Sequence, residues 1–170
     1  MTDATAVTED PTITDVDRAL LREAIAAGRS AVAHGNHPFG AVLADADGTA
    51  VLRAENTVNT DNDCTAHAET NLARLAFKIF GAEALAGYSL YTSCEPCAMC
   101  SGAIYWSGIG RVVWAMTEAQ LAVLTGDHEE NPTMALSSAT VLNAGQRAIA
   151  VAGPAMWEEA IEAHGDFWAR

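Results

Sequence analysis

Two short words of this sequence hold the side chains of a hydrolytic metal site. His67-Ala68-Glu69 places an imidazole two residues before a carboxylate, and Pro96-Cys97-Ala98-Met99-Cys100 places two thiols at C-x-x-C spacing. One imidazole and two thiolates hold zinc with the fourth tetrahedral position left for water, as in a catalytic site rather than a closed structural one. Thiols three residues apart at the start of a helix reach a single ion, and the positive end of the helix dipole favours their thiolate forms. Water there ionises near neutral pH, and Glu69, beside a ligand without being one, is placed to take the proton and redeliver it to substrate. The chemistry implied is hydrolytic attack on an unsaturated carbon. A C-x-x-C pair alone carries little weight, and the upstream His-x-Glu is what makes catalysis the expectation. Cys64 and Cys94 offer no further ligand spacing and are expected to be small buried thiols.

These residues need elements to hold them. Leu21, Ile25 and Val32, flanked by Leu20, Ala24, Ala27 and Ala31, mark a helix over 15–34. The breaker Gly35-Asn36-His37-Pro38 follows, and strands over 39–44 and 50–55 joined at Asp45-Ala46-Asp47-Gly48 read as a hairpin. Thr65 is the expected N-cap of a helix whose Leu72, Leu75, Ala76 and Ile79 repeat at helical spacing until Gly81. A strand over 88–92, a helix opened by Pro96, a strand over 111–115 and a helix over 117–124 come next. After a polar loop over 126–138, a last strand over 148–151 leads to a helix from Pro154, where Met156, Ala160, Ala163 and Phe167 recur at helical spacing. His34, His37, His128 and His164 read as surface or loop histidines. This alternation implies a sheet with helices on both faces, with ligands bound near strand ends where helix N-termini converge. Residues 1–14 read as a mobile N-terminal tail and 15–170 as a single domain.

Composition narrows the partners. Of 170 residues, 50% are hydrophobic and 18% charged, which excludes a disordered chain. The formal net charge of -13 repels phosphate backbones, so nucleic acid is a disfavoured partner while a small neutral base is not. No apolar run is long enough for a membrane helix, and an acidic N-terminus lacks the basic start of a secretory signal. A cytoplasmic location is therefore expected, and with it a metal or catalytic role for three cysteines within seven residues.

Taken together, His67-Ala68-Glu69 and Pro96-Cys97-Ala98-Met99-Cys100 resemble the H-x-E…P-C-x-x-C signature of the zinc-dependent cytidine and nucleobase deaminase superfamily. Pro38-Phe39-Gly40-Ala41-Val42, Thr65-Ala66-His67-Ala68-Glu69 and Tyr91-Thr92-Ser93-Cys94-Glu95-Pro96-Cys97 look most like the bacterial guanine deaminase branch. The resemblance implies an α/β fold, a three-layer α/β/α sandwich around a five-strand mixed sheet, with Zn2+ as cofactor. It implies catalysis by Glu69 on His67, Cys97 and Cys100. It makes Asn56 a hydrogen-bond partner of the base, Phe39 and Trp106 its apolar walls, and the backbone N–H groups of Ala68 and Cys97 its neighbours. An acidic residue of the loop after the fourth strand, Asp127, Glu129 or Glu130, would read donor groups on the base, since a carboxylate only accepts. That loop departs from the guanine deaminase pattern, and the segment 148–168 is as close to tRNA adenosine deaminases. The expected reaction is guanine to xanthine plus ammonia. The alternatives are cytosine, an ammeline-type triazine, guanosine or tRNA adenosine, and, from another class, a silent zinc-stabilised interaction module. A homodimer is expected from the resemblance and from apolar helices after the fourth strand.

Overall fold

The computed structural model describes residues 7–126 and 128–169. Five strands form one sheet in the order β2-β1-β3-β4-β5: β1 (Gly40–Ala44), β2 (Ala50–Glu55), β3 (Ser89–Cys94), β4 (Arg111–Met116) and β5 (Ala150–Ala152). β1 is antiparallel to both β2 and β3, whereas β3, β4 and β5 are parallel, so the sheet is mixed. The hairpin turn is held by Asp45, whose Oδ1 accepts from the N–H groups of Asp47 and Thr49 at 3.0 and 2.9 Å.

Every residue of β1 is buried, because helices cover both faces. α1 (Asp15–Ala33) and α7 (Trp157–His164) lie on one side; α3 (Ala68–Leu85), α4 (Ala98–Ser107) and α6 (Ser138–Asn143) lie on the other. The two-residue period of a strand divides the core accordingly. Val42, Ala44, Val113 and Ala115 pack with Leu21, Ile25 and Ala160, while Ala41, Leu43, Val112 and Trp114 pack with Leu72, Ala76 and Ile104. The remaining helices are α2 (Val58–Asp61) and α5 (Glu118–Thr125). Among the described residues no helix is long and apolar enough to cross a membrane.

α1 starts at a capping box between Thr14 and Asp17, and Asp17 also takes Arg111 at 2.6 Å and the Tyr91 hydroxyl at 2.8 Å. Burial alone would raise the Asp17 carboxyl, but the bonds from Arg111, Thr14 and Tyr91 outweigh it and hold the group well below the usual carboxylate range. One buried charge thus ties α1 to β3 and β4. α1 approaches β1 so closely that a Cβ on Gly40 would collide with the backbone of Ala24 and Gly28.

Several expectations shift. Thr65 bonds Asp63 Oδ1 through its N–H and hydroxyl, and His67 takes the N-cap position of α3 instead. The buried face of α3 is Ala68, Glu69, Leu72, Ala73 and Ala76, set by the demand that Glu69 point inward; Leu75 and Ile79 are 42% and 55% exposed. Gly81 (φ 74°) does break the helix, but another turn carries it to Leu85. α6 starts at the last residue of the expected loop and fills part of the stretch before the last strand that had no element assigned, too short to display a period, with Ser137 as its N-cap. α7 begins after Pro154 and ends before Gly165, so Phe167 and Trp168 sit in a separate 3-10 turn, Phe167–Ala169. The expected tail is anchored from residue 9. Glu9 pairs with Arg18 and accepts from Met156 N–H at 2.7 Å, and Asp10 accepts from Gly153 N–H at 2.9 Å. Residues 1–6 lie outside the described residues.

Candidate functional site

The site grows from one edge of the sheet. Gly40 pairs with Glu55 at the start of β1 and the end of β2, so Phe39 and Asn56 adjoin just beyond, with Asn56 N–H donating to Phe39 C=O at 3.0 Å. Ala41 pairs with Thr92, which puts the C-terminal end of β3 at the same edge, and Cys94 pairs with Met116 at the end of β4. Ligand sites of α/β sheets form at such carboxyl ends. Three helices begin there: α3 after His67, α4 after Cys97 and α5 after Thr117.

His67, Cys97 and Cys100 offer ligand atoms that all lie within 4.8 Å of one another. Cys97 Sγ is 3.8 Å from His67 Nδ1. One nitrogen and two sulfurs at this spacing suit tetrahedral zinc, with Zn–S near 2.3 Å and Zn–N near 2.0–2.1 Å. Cys97 is the N-cap of α4, at the positive end of its dipole. A hydrogen bond from Cys100, opposed by burial and assisted by His67, lowers the Cys97 thiol, and the contact with Cys97 raises His67. A thiolate is therefore favoured before any metal arrives.

Glu69 is buried in the first turn of α3, 3.5 Å from Cys100 Sγ, and burial pushes its carboxyl up. The Thr92 hydroxyl lies 2.8 Å from Glu69 Oε1 and 2.9 Å from Cys94 C=O. With one proton and two lone pairs, Thr92 donates to an ionised Glu69, or accepts from a protonated one while donating to the carbonyl. Both protonation states of Glu69 are accommodated in one position, as a group that takes and returns a proton requires.

A cavity of about 330 Å³ opens in front of this cluster. That is within the range of about 300–1,000 Å³ of small-molecule sites. His37, Phe39, Asn56, His67, Cys97 and Glu118 all contribute to its wall. Asn56 is buried; its Oδ1 accepts from Val58 N–H at 3.1 Å, and its Nδ2 has no partner among the described residues. A buried amide donor left open beside a cavity is paired only when something fills that cavity. Glu118, in the first turn of α5, also lines the inner recess with Glu69 and Cys97, and burial and the neighbouring acidic groups push its carboxyl up to about 7.

The sequence-predicted residues divide. His67, Glu69, Cys97 and Cys100 come together, and Phe39 and Asn56 line the cavity beside them. Ala68 is the first residue of α3 and Cys97 the N-cap of α4, positions whose N–H groups have no partner within their own helix. Trp106 is not a wall of this cavity: it sits nine residues past Cys97, about 13 Å along a helix axis, and is 80% exposed on the outer side of α4. Glu130 reaches the cavity rim and bonds His37 Nε2 at 3.0 Å, whereas Glu129 is exposed and does not line it. Asp127 lies outside the described residues. His37 and His164, expected at the surface, are buried, and Cys64, expected buried, is exposed at the cavity. Sequence reasoning missed Thr92 and Glu118. The signal available for Glu118 was an acidic residue opening the helix directly after a strand that neighbours the C-x-x-C strand.

A family model described as "Cytidine and deoxycytidylate deaminase zinc-binding region" matches residues 14–116. The probable cytosine deaminase of Schizosaccharomyces pombe is 41% identical over 156 residues, 92% of this chain and 94% of that protein. The guanine deaminase of Bacillus subtilis is 48% identical over 85 residues, 50% of this chain and 54% of that one. The solved guanine deaminase of Nitrosomonas europaea has the same fold, with a TM-score of 0.76 at 24% identity over 96% of this chain and 90% of that one.

Proposed function

The chain belongs to the zinc-binding family of cytidine and deoxycytidylate deaminases, the aminohydrolases of nucleobases and nucleosides, and from that premise we propose that it converts free guanine to xanthine and ammonia. The observation that carries this reading is the buried Asn56 Nδ2, unpaired among the described residues, facing a cavity that His67 and Cys97 of the metal set also line, with Glu69 in the inner recess beside them. An amide donor there suits a ring or carbonyl acceptor on a base. Carboxylates at the same cavity suit guanine, whose edges are rich in N–H donors.

When bound to His67, Cys97 and Cys100, zinc supplies the Lewis acidity that ionises water near neutral pH. Glu69 accepts the proton that this water loses. As oxygen bonds to the amino-bearing carbon, Glu69 passes that proton to the adjacent ring nitrogen. It then takes the remaining proton of the newly attached hydroxyl and carries it to the amine, so that the C=O bond forms as the C–N bond breaks and ammonia leaves. Thr92 holds the Glu69 carboxyl in place through both states. Asn56 Nδ2 fixes the base, Phe39 supplies an apolar wall, and the N–H groups of Ala68 and Cys97 face the reacting atoms.

Deamination of cytosine is the second reading, favoured by the relative that matches nearly the whole chain. Deamination of adenosine within tRNA would need attraction to phosphates that a net charge of -13 opposes. A silent module fits poorly with Glu69, since burying a carboxylate is costly and the thiols and Thr92 around it give it work only in proton transfer. The same reading takes the protein as a homodimer in the cytoplasm, and the apolar groove of α3 and α4, where Phe77, Trp106 and Ala103 are gathered, supplies a surface for it beside the exposed apolar side chains after the fourth strand. The substrate reading is tested by kcat/KM of the zinc-loaded protein on guanine and cytosine. A preference for guanine of at least tenfold is expected, and the reverse preference gives the site to cytosine.

A further inference from the structure

We infer that Glu118, ahead of Glu129 and Glu130 in the loop that follows, reads an N–H group of the base and so helps decide which heterocycle is accepted. This inference rests on the base-deaminase reading above and assigns specificity within it.

The backbone under Glu118 is fixed from two sides. Thr117 and Gln120 form a capping box at the start of α5, and the Glu118 N–H donates to Glu95 Oε2 at 3.1 Å. Glu95 is itself buried and accepts from Ser138 N–H with its other oxygen at 2.9 Å, locking the starts of α5 and α6 together. The Glu118 carboxylate is thus delivered on a rigid mount to both the inner recess and the outer cavity. Among the described residues its side chain has one hydrogen-bond contact, a weak one from the Cys94 thiol at 3.9 Å. Oxygens with so little to accept from, facing a cavity, are vacant for a ligand donor.

The two described acids of the loop offer less. Glu129 is outside the cavity wall, and Glu130 is mostly exposed with one oxygen already committed to His37. Meanwhile Asn56 presents an unpaired donor to the same cavity. A ligand that satisfies both side chains carries an acceptor and an N–H donor on one small ring system. That is the lactam edge of a nucleobase, and a ring lacking the N–H leaves the half-buried Glu118 carboxylate without a ligand donor, which is how sites reject near-isosteres.

The test uses zinc-loaded protein carrying Glu69→Gln, so that bases bind without turnover, and measures affinity for guanine, cytosine and the 1-, 7- and 9-methylguanines by calorimetry. Adding Glu118→Leu is expected to weaken binding of the preferred base between about tenfold and a hundredfold, and Glu118→Gln, which keeps one acceptor, by less. One methylated analogue should lose affinity for the Glu69→Gln parent by a similar factor yet lose nothing more when Glu118→Leu is added. Both double variants should melt no lower than the parent, since a partly buried carboxylate has been removed. Unchanged affinity in Glu118→Leu overturns the inference while leaving the deaminase reading intact, as does a loss that follows Glu130→Gln instead. A parent that binds no base at all overturns both.

Discussion

Glu69 is asked to exchange a proton twice in each turnover, and its surroundings are built for that exchange. Burial raises its carboxyl, and a single Thr92 hydroxyl serves it in either state. Glu69→Gln should therefore retain zinc and bind base while turnover falls to background, measured by metal content, calorimetry and product formation together. Thr92→Val removes the hydroxyl without changing the shape and should lower kcat about tenfold with KM little moved, consistent with a charge-assisted bond of about 1.5–3 kcal/mol partly replaced by solvent. Thr92→Ser should restore most of the rate, an outcome that simple loss of packing does not predict. The metal set was legible in the sequence because its members sit three residues apart or beside a helix start. Thr92 and Glu118 were not, because each reaches the site by strand register or helix placement that no local spacing encodes.

At the scale of elements, the site depends on how closely α1 lies on β1. Gly40 permits that approach, and Phe39 and the β2 end that carries Asn56 are positioned through it. Gly40→Ala should cost about 1–3 kcal/mol or more through overpacking, read as a lower denaturation midpoint, and should weaken base binding because Asn56 moves with the strand. The strands and helices around the motif were legible because their apolar periods are clean and their breakers strong. The face of α3 was not: Leu72, Leu75, Ala76 and Ile79 make a valid stripe, but so do Leu72, Ala73 and Ala76, and the inward demand of Glu69 selects the second. Trp106 misled for a related reason. Placed by likeness to a motif neighbourhood, it is carried out of reach by the length of α4.

For the whole molecule, the C-terminal turn closes over the hairpin edge through Trp168, whose indole N–H donates to His164 Nδ1 at 2.8 Å and whose ring stacks on His37. That bond needs a neutral His164, and burial lowers its pKa to about 4. A folded pKa below the unfolded value of about 6.5 means the unfolded chain binds more protons between those limits. The stabilisation is complete above about pH 6.5 and declines as the pH falls toward 4, by up to about 3 kcal/mol. Urea denaturation at pH 7.5 and 5.0 should show a smaller acid loss in His164→Gln than in the wild type; equal losses would remove His164 as the cause. The exposed apolar side chains of α3 and α4 make a second whole-molecule prediction: light scattering should give a dimer, and Trp106→Glu should shift it to monomer without lowering zinc content. The fold class and its mixed sheet followed from the motif resemblance and the alternation of elements, whereas the anchored N-terminus did not, since Glu9 and Asp10 find their partners in backbone far along the chain. The most direct test of the account is ammonia release from the zinc-loaded protein supplied with guanine and with cytosine, beside Glu69→Gln and a zinc-stripped sample. The account predicts release that requires both the metal and Glu69, whereas release that persists in Glu69→Gln, or silence on every base, would contradict it.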